Sequence, residues 1–192
     1  MSGIGSAQPA LGFAAELLLQ AQGMRAAIFD VDGVLTDGRL YIGEHGEQFK
    51  AFHVHDGHGL KLLAQAGITP VVISGRDSAA LRRRLADLGI TRLALAAGDK
   101  LRAAEPLLAS LSLDWSQVAA IGDDWPDLPL LRRAGFACAV ADAHTEVLAT
   151  VHHVTTRRGG EGAAREFCDL LLMAAGRYAA LLQQQHDSLD VR

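Results

Sequence analysis

The chain has 192 residues, 49% of them hydrophobic, and a formal net charge of -4. That length fits one domain around a single buried core, and the acidic balance excludes a basic field for gripping nucleic-acid phosphates. Its two cysteines, Cys138 and Cys168, lack metal-ligand spacing and suit a reducing cytoplasm. The first basic residue is Arg25 and Glu16 interrupts the apolar segment Leu11 to Leu19, so no signal peptide and no membrane span is expected, and the protein reads as soluble and cytoplasmic.

From Arg25 onward, short apolar runs alternate with segments of helical period, the pattern of a parallel sheet built from strand-helix-strand crossovers. The first strand covers Ala26 to Phe29. Arg39 to Phe52 then reads as a hairpin, with Leu40, Tyr41 and Ile42 on one arm, Phe49 and Phe52 on the other, and Gly43 and Gly46 bracketing the turn. A helix at Gly57 to Ala66 leads to a strand at Thr69 to Ile73, and a helix at Ser78 to Leu88 to a strand at Leu93 to Leu95. A helix at Lys100 to Leu111 precedes a strand at Val118 to Ile121, and Asp127 to Arg133 forms the next helix. Strands at Ala137 to Val140 and His152 to Val154 follow, then one long amphipathic helix from Gly162 to Gln185, with His186 to Arg192 frayed. The expected architecture is α/β, a doubly wound parallel sheet with a small β-hairpin insertion (39–52), a tail (157–192) and one domain over 1–192.

The first strand runs directly into Asp30-Val31-Asp32-Gly33-Val34-Leu35-Thr36-Asp37-Gly38. In open α/β sheets ligands bind beyond the carboxyl ends of strands, so this aspartate pair would face the binding crevice, where Gly33 lets the backbone approach a phosphate. A calcium loop of the EF-hand type fits poorly, because its fifth position here is Val34 and the glycine falls at the fourth. A simple turn leaves two carboxylates at a buried strand end, which is costly without a cation.

Later strand ends supply three more pieces. Ser74-Gly75-Arg76 places a hydroxyl and amides at the same edge, although Ser-Gly is also common turn chemistry. Gly98-Asp99-Lys100 opens a helix, and Gly122-Asp123-Asp124-Trp125-Pro126-Asp127 again sets acid after an apolar strand. An N-cap explains Asp124 but leaves Asp123 without a role. Asp30, Asp32 and Asp123 in one crevice would repel by about 4 kcal/mol per pair at 4 Å and an effective dielectric of 20. A cation is therefore required, and an all-oxygen set that keeps several waters suits magnesium. Asp124 and Asp127 would orient its waters or hold Lys100 from the second shell of ligands. Asp30 can then attack phosphorus, Asp32 protonate the leaving oxygen and activate water, and Ser74 and Lys100 stabilise the equatorial oxygens.

Taken together, Asp30-Val31-Asp32-Gly33-Val34, Ser74, Lys100 and Gly122-Asp123-Asp124-Trp125-Pro126-Asp127 resemble, in order and spacing, the four motifs of the haloacid dehalogenase phosphatases. More narrowly, Asp56-Gly57-His58-Gly59, Ile73-Ser74-Gly75-Arg76, Val140-Ala141-Asp142-Ala143 and Gly159 to Glu166 resemble the capless subfamily that includes 3-deoxy-D-manno-octulosonate 8-phosphate phosphatase. The resemblance covers roughly Arg25 to Gly176. It implies the Rossmann-like haloacid dehalogenase fold without a cap domain and a magnesium-dependent phosphomonoesterase in lipopolysaccharide precursor synthesis. The substrate would be the 8-phosphate of that sugar acid, hydrolysed through an aspartyl phosphate, with a sialic-acid-type nonulosonate 9-phosphate as the rival. By resemblance, metal contacts map to Asp30, Asp32 and Asp123. Substrate contacts map to Asp32, His53, Val54, His55, Asp56, Gly57, Lys61, Ser74, Gly75, Arg76, Arg84 and Lys100. The chain departs from relatives at His53-Val54-His55, where Asn-Val-Arg or Asn-Val-Lys is usual, and at Leu95-Ala96, where Gln-Gly is frequent.

Without a cap the crevice is open in a monomer, and an enclosed site strengthens electrostatic stabilisation. Either a macromolecular substrate covers it or neighbouring subunits do. The acidic balance favours subunits, and the resemblance implies a homotetramer whose subunits complete each other's sites. The segment Gly159 to Glu166 is expected to reach a neighbour, so that truncation at Thr156 would spare the core. His53, His55 and His58 admit a zinc reading, with 53 and 55 on one face of a strand, as well as a sugar-phosphate lining. Arg82 and Arg83 read as solvated helix surface, with Arg84 the member turned to substrate. A receiver-type signalling module also uses an aspartyl phosphate, but its acidic pair comes first and its acceptor later, the reverse of the order here.

Overall fold

A computed structural model of the chain describes residues 9–187, so the fraying expected of the terminus falls, over 188–192, outside the described residues. In chain order its elements begin with α1 (Ala15–Gln20), β1 (Ala26–Phe29), β2 (Tyr41–Gly43), β3 (Gly46–Phe49), α2 (Val54–Gln65), β4 (Thr69–Ile73), α3 (Ala79–Leu88) and β5 (Leu93–Ala94). They continue with α4 (Lys100–Leu111), β6 (Val118–Gly122), α5 (Leu128–Arg133), β7 (Phe136–Ala139), α6 (Thr145–Leu148), β8 (His153–Val154), α7 (Ala163–Ala174) and α8 (Tyr178–Asp187).

Six strands form one parallel sheet in the order β5-β4-β1-β6-β7-β8, and β2 and β3 form a separate antiparallel pair. The chain leaves β1 toward β4 and β5, then crosses back to β6 on the other side. Right-handed crossovers on either side of that reversal put α2, α3 and α7, which pack together, on one face and α4 with α5 on the other. The carboxyl ends of β1 and β6 meet at this switch point, where such sheets bind ligands. Every residue of β1 and β6 is buried, as expected of strands covered on both faces. Phe29 and Phe167 tie sheet to helix, with ring centroids 5.5 Å apart and edge to face.

Pro70 stands in the interior strand β4 without breaking the ladder. The amides of Val72 and Ser74 bond toward β5, at Arg92 and Ala94, so position 70 faces the same side before β5 begins.

The structure corrects several expectations. Helix α2 starts at Val54 rather than Gly57, because the His53 side chain caps it by accepting the His55 amide at 3.2 Å. Residues 53 and 55 therefore flank a helix start and do not share a strand face. The single tail helix is two helices. Gly176, at φ +66°, turns the chain left-handed after α7, and the Arg177 amide closes the end on Leu172 O at 2.8 Å. Helices α1 and α6 had no sequence expectation.

Gly159 to Glu166 is held by contacts within its own chain, and the expectation that falls here is that a truncation at Thr156 would spare the core. Gly160 N donates to Val34 O at 3.0 Å and Gly159 N to Asp142 Oδ1 at 3.0 Å. Glu166 accepts from Thr156 N at 2.9 Å, and Arg165 N donates to Asp56 Oδ1 at 2.7 Å. Beyond it, α7 buries Ala163, Ala164, Phe167, Cys168, Leu170 and Leu172 completely, so a truncation at Thr156 removes part of the core.

Candidate active site

Parallel register explains why residues far apart in the chain converge. Phe29 pairs with Ile121, and Asp30 N donates to Ile121 O at 3.2 Å, so Asp30 and Asp123 leave adjacent strands at the same edge. Oxygens of Asp30, Asp123 and Asp127 lie within 4.8 Å of one another. Gly33 makes this approach possible: at φ +106°, a Cβ there would lie 2.1 Å from Asp123 Oδ2. Gly122 does the same for Asp127, whose Cβ would stand 2.5 Å from an added methyl.

Lys100 enters from the first turn of α4, capped by the Asp99 side chain on Arg102 N at 3.0 Å. Its ammonium donates to Asp30 Oδ1 at 2.5 Å and Asp127 Oδ1 at 2.6 Å. Burial works to lower the Lys100 pKa, but Asp30 and Asp127 beside it prevail and raise it. Burial, reinforced by the Asp127 charge, pushes the Asp30 carboxyl up to about 6. Burial and the charges of Asp30 and Asp127 push Asp123 up to about 8. One ammonium is too little cation for three crowded carboxylates.

Asp127 holds Lys100, one of the two places expected for it, and does more besides. Its Oδ1 holds Lys100 and its Oδ2 accepts from Asp123 N at 3.0 Å and Asp124 N at 3.3 Å, so it organises the loop from within the cluster. Asp124 is exposed and takes part through its amide, its carboxylate lying outside the cluster.

Asp32 points its carboxylate elsewhere. Lys50 donates to Asp32 Oδ1 and lies 2.6 Å from Glu47 Oε1. Arg76 stands 3.9 Å from Asp32 Oδ2 and 3.6 Å from Glu47 Oε2. Ser74, buried beyond β4, accepts the Arg76 amide at 3.1 Å, which fixes the Ser74-Gly75-Arg76 turn at the crevice edge.

The residues from 53 to 57 form the first turn of α2. Asp56 is buried, with Oδ1 on Arg165 N, while Val54 is 70% exposed. Gly57 admits Arg84, since a Cβ would meet its Nη2 at 2.2 Å, and that guanidinium reaches His53 O at 3.5 Å. As expected, Arg82 and Arg83 pair with surface carboxylates, Asp77 and Asp87. Lys61 lies beside Thr69, Pro70 and Arg92, at the edge opposite Ser74, so this chain does not bring it to its own cluster. A cavity of about 520 Å³ opens beside α2, lined by His53, His55, Arg157, Glu161, Arg165 and Glu166. His58 lines a different slot, with Leu62, Tyr178 and Leu181, so the three histidines form no common site.

Sequence reasoning assigned no role to Glu47 and Lys50. Their signal was available, two opposite charges three apart on one hairpin arm, but the aromatic residues of that arm masked it.

The family profile for haloacid dehalogenase-like hydrolases matches residues 96–167, which hold Lys100, Asp123 and Asp127. The 3-deoxy-D-manno-octulosonate 8-phosphate phosphatase of Yersinia pestis is 45% identical over 159 residues, 83% of this chain and 85% of that one. Among solved structures, a probable yrbi family phosphatase from Pseudomonas syringae has a TM-score of 0.87 at 46% identity, covering 90% of this chain and 98% of that one. The 3-deoxy-D-manno-octulosonate 8-phosphate phosphatase of Moraxella catarrhalis, solved with magnesium, phosphate and a KDO molecule, has a TM-score of 0.85 at 39% identity, covering 88% and 97%. This chain belongs to the 3-deoxy-D-manno-octulosonate 8-phosphate phosphatase family, within the haloacid dehalogenase-like hydrolases.

Proposed function

We propose that this chain is a magnesium-dependent phosphomonoesterase that hydrolyses 3-deoxy-D-manno-octulosonate 8-phosphate to the free sugar acid and phosphate, in the cytoplasm, for lipopolysaccharide precursor synthesis. The observation that carries the reading is the convergence of Asp30, Asp123 and Asp127 at the carboxyl edge of β1 and β6, with Lys100 bonded to Asp30 and Asp127.

The donor set fits a hard divalent ion. An Asp123 carboxyl pushed up to about 8 marks a site short of positive charge, and only oxygens are on offer. Asp30 and Asp123 would hold the ion, because Asp127 is committed to Lys100 and two amides. The carboxylate of Asp32, expected to join them, is engaged by Lys50 and lies outside the cluster. When bound, magnesium supplies charge neutralisation for the carboxylates and the phosphate oxygens.

The protein's own groups then divide the work. An Asp30 oxygen attacks phosphorus while Lys100 holds the other and offsets its charge. Asp32 gives its proton to the departing sugar oxygen as the P–O bond breaks, and takes one from the water that later cleaves the aspartyl phosphate. Ser74 and the amides beyond Asp30 receive the equatorial oxygens.

The test is phosphate release with magnesium from the 8-phosphate, the nonulosonate 9-phosphate, hexose phosphates and nucleotides. Asp30→Asn should abolish turnover and Asp32→Asn nearly do so; wild-type rates in Asp30→Asn would end the reading. A homotetramer that closes the crevice fits the exposed Leu40, Ile42 and Phe49 of the hairpin. Light scattering on Ile42→Glu should then give a smaller species of lower activity.

A further inference from the structure

The hairpin carries more than apolar surface. It delivers Lys50, whose side chain is only 1% exposed, to Asp32, and Glu47 of the same hairpin meets Lys50 at 2.6 Å. A shielded ammonium held between two carboxylates has little rotational freedom, and its charge-assisted bond to Asp32 is directional. Glu47 also spreads to the next cation, with Oε2 3.6 Å from Arg76. Four charged side chains, two of each sign, thus form a continuous chain from the hairpin to the turn after β4.

The two oxygens of Asp32 are not equivalent in this network. Oδ1 accepts from Lys50. Oδ2 is buried and has no hydrogen-bond partner, and the nearest cation, Arg76, is 3.9 Å away. A buried carboxylate oxygen without a partner is costly unless a reacting group uses it.

We infer that Lys50 is a positioning residue for proton transfer: it locks Asp32 through Oδ1 and leaves Oδ2 as the oxygen that exchanges the proton, with Glu47 holding Lys50 in place. The proton on Oδ2 passes to the ester oxygen as the bond from phosphorus to that oxygen breaks and the bond to Asp30 forms. Oδ2 recovers a proton from the water that attacks the aspartyl phosphate. Lys50 neither gains nor loses a proton in the cycle, and acts through the aim of Asp32. The hairpin thereby joins the catalytic apparatus as the element that sets the geometry of the acid.

The inference rests on the phosphatase reading, and the experiment separates the two. Lys50→Met, Lys50→Arg, Glu47→Gln, Asp32→Asn and the double variant Asp32→Asn/Lys50→Met are compared on kcat/KM, which reports the phosphoryl-transfer half alone. The two substrates are the sugar-acid 8-phosphate, whose alkoxide needs a proton, and 4-nitrophenyl phosphate, whose phenolate leaves without one. Lys50→Met should lose about a hundredfold on the sugar phosphate and only a few-fold on the aryl ester, as removal of a general acid predicts. In the Asp32→Asn background the same change should cost almost nothing, because partners acting as a unit are not additive. Lys50→Arg should recover part of the loss.

Equal losses on both esters, or additive losses in the double variant, would show Lys50 to be a tether for the hairpin and overturn the assignment. If Lys50→Met does not fold by circular dichroism, Glu47→Gln, which loosens Lys50 without removing it, carries the same two-ester comparison with a smaller split. A wild type inert toward both esters would overturn the phosphatase reading and this assignment with it.

Discussion

Lys100 and Asp30 are 70 positions apart in the chain, yet the Lys100 ammonium lies 2.5 Å from Asp30 Oδ1. Asp127 shares the same ammonium at 2.6 Å, so one cation bridges the first and last acidic motifs. Lys100 holds one Asp30 oxygen, so in the proposed mechanism the second oxygen is the one that attacks phosphorus, with the ammonium beside it.

Lys100→Met should therefore lower kcat by about 10² to 10³, the usual loss on removing one preorganised charge donor. Magnesium affinity, read by calorimetry, should hold or rise, since a competing cation has gone. A magnesium affinity that fell in step with the rate would contradict this division of labour.

The crowded carboxylates make a pH prediction. Asp30 is pushed up to about 6 and Asp123 to about 8 from an ordinary 3.8, so the folded chain holds protons that the unfolded chain has released. This contribution to metal-free stability is fully present below about pH 4 and is lost as pH rises to about 8. Magnesium, which needs ionised carboxylates, should raise Tm more at pH 8 than at pH 5. Thermal melts of wild type and Asp123→Asn measure it: the metal-free slope should flatten in the variant, and identical slopes would count against the cluster.

Gly33→Ala should separate folding from metal binding. The added methyl would stand 2.1 Å from Asp123 Oδ2 at a φ of +106° that alanine resists, so Asp123 must move. The far-ultraviolet spectrum should persist, while the Tm gain from magnesium disappears. Retained magnesium protection would mean that Asp123 is not a ligand.

Truncation at Thr156 should yield an unfolded or insoluble protein rather than a slow enzyme. Phe167→Ala is the milder probe. Its ring is fully buried against Phe29, and urea unfolding should show a loss of about 3 to 5 kcal/mol.

Much of the core was legible because its periodicity is local. Ala26 to Phe29 and Thr69 to Ile73 form strands over the expected bounds, and Lys100 to Leu111 forms the expected helix. Boundaries failed where a side chain or one glycine decided them. The His53 imidazole starts α2 three residues early, and Gly176 divides a pattern that remains apolar on both sides. The expected Asp30, Asp123 and Lys100 do meet, while Lys61 lies at the opposite edge of the sheet.

The order of the motifs, abrupt acid after buried strands, determined by itself the sheet, the phosphoryl chemistry and the need for a cation. Charge next to apolar sequence has few stable placements, and a strand end at a crevice is one of them. Only the tertiary structure decided which carboxylate does what: Asp127 and not Asp124 holds Lys100, Asp32 turns to Lys50, and Gly160 bonds to Val34. Those outcomes depend on contacts between residues far apart in sequence, set by strand register and by glycines too small to keep their neighbours away.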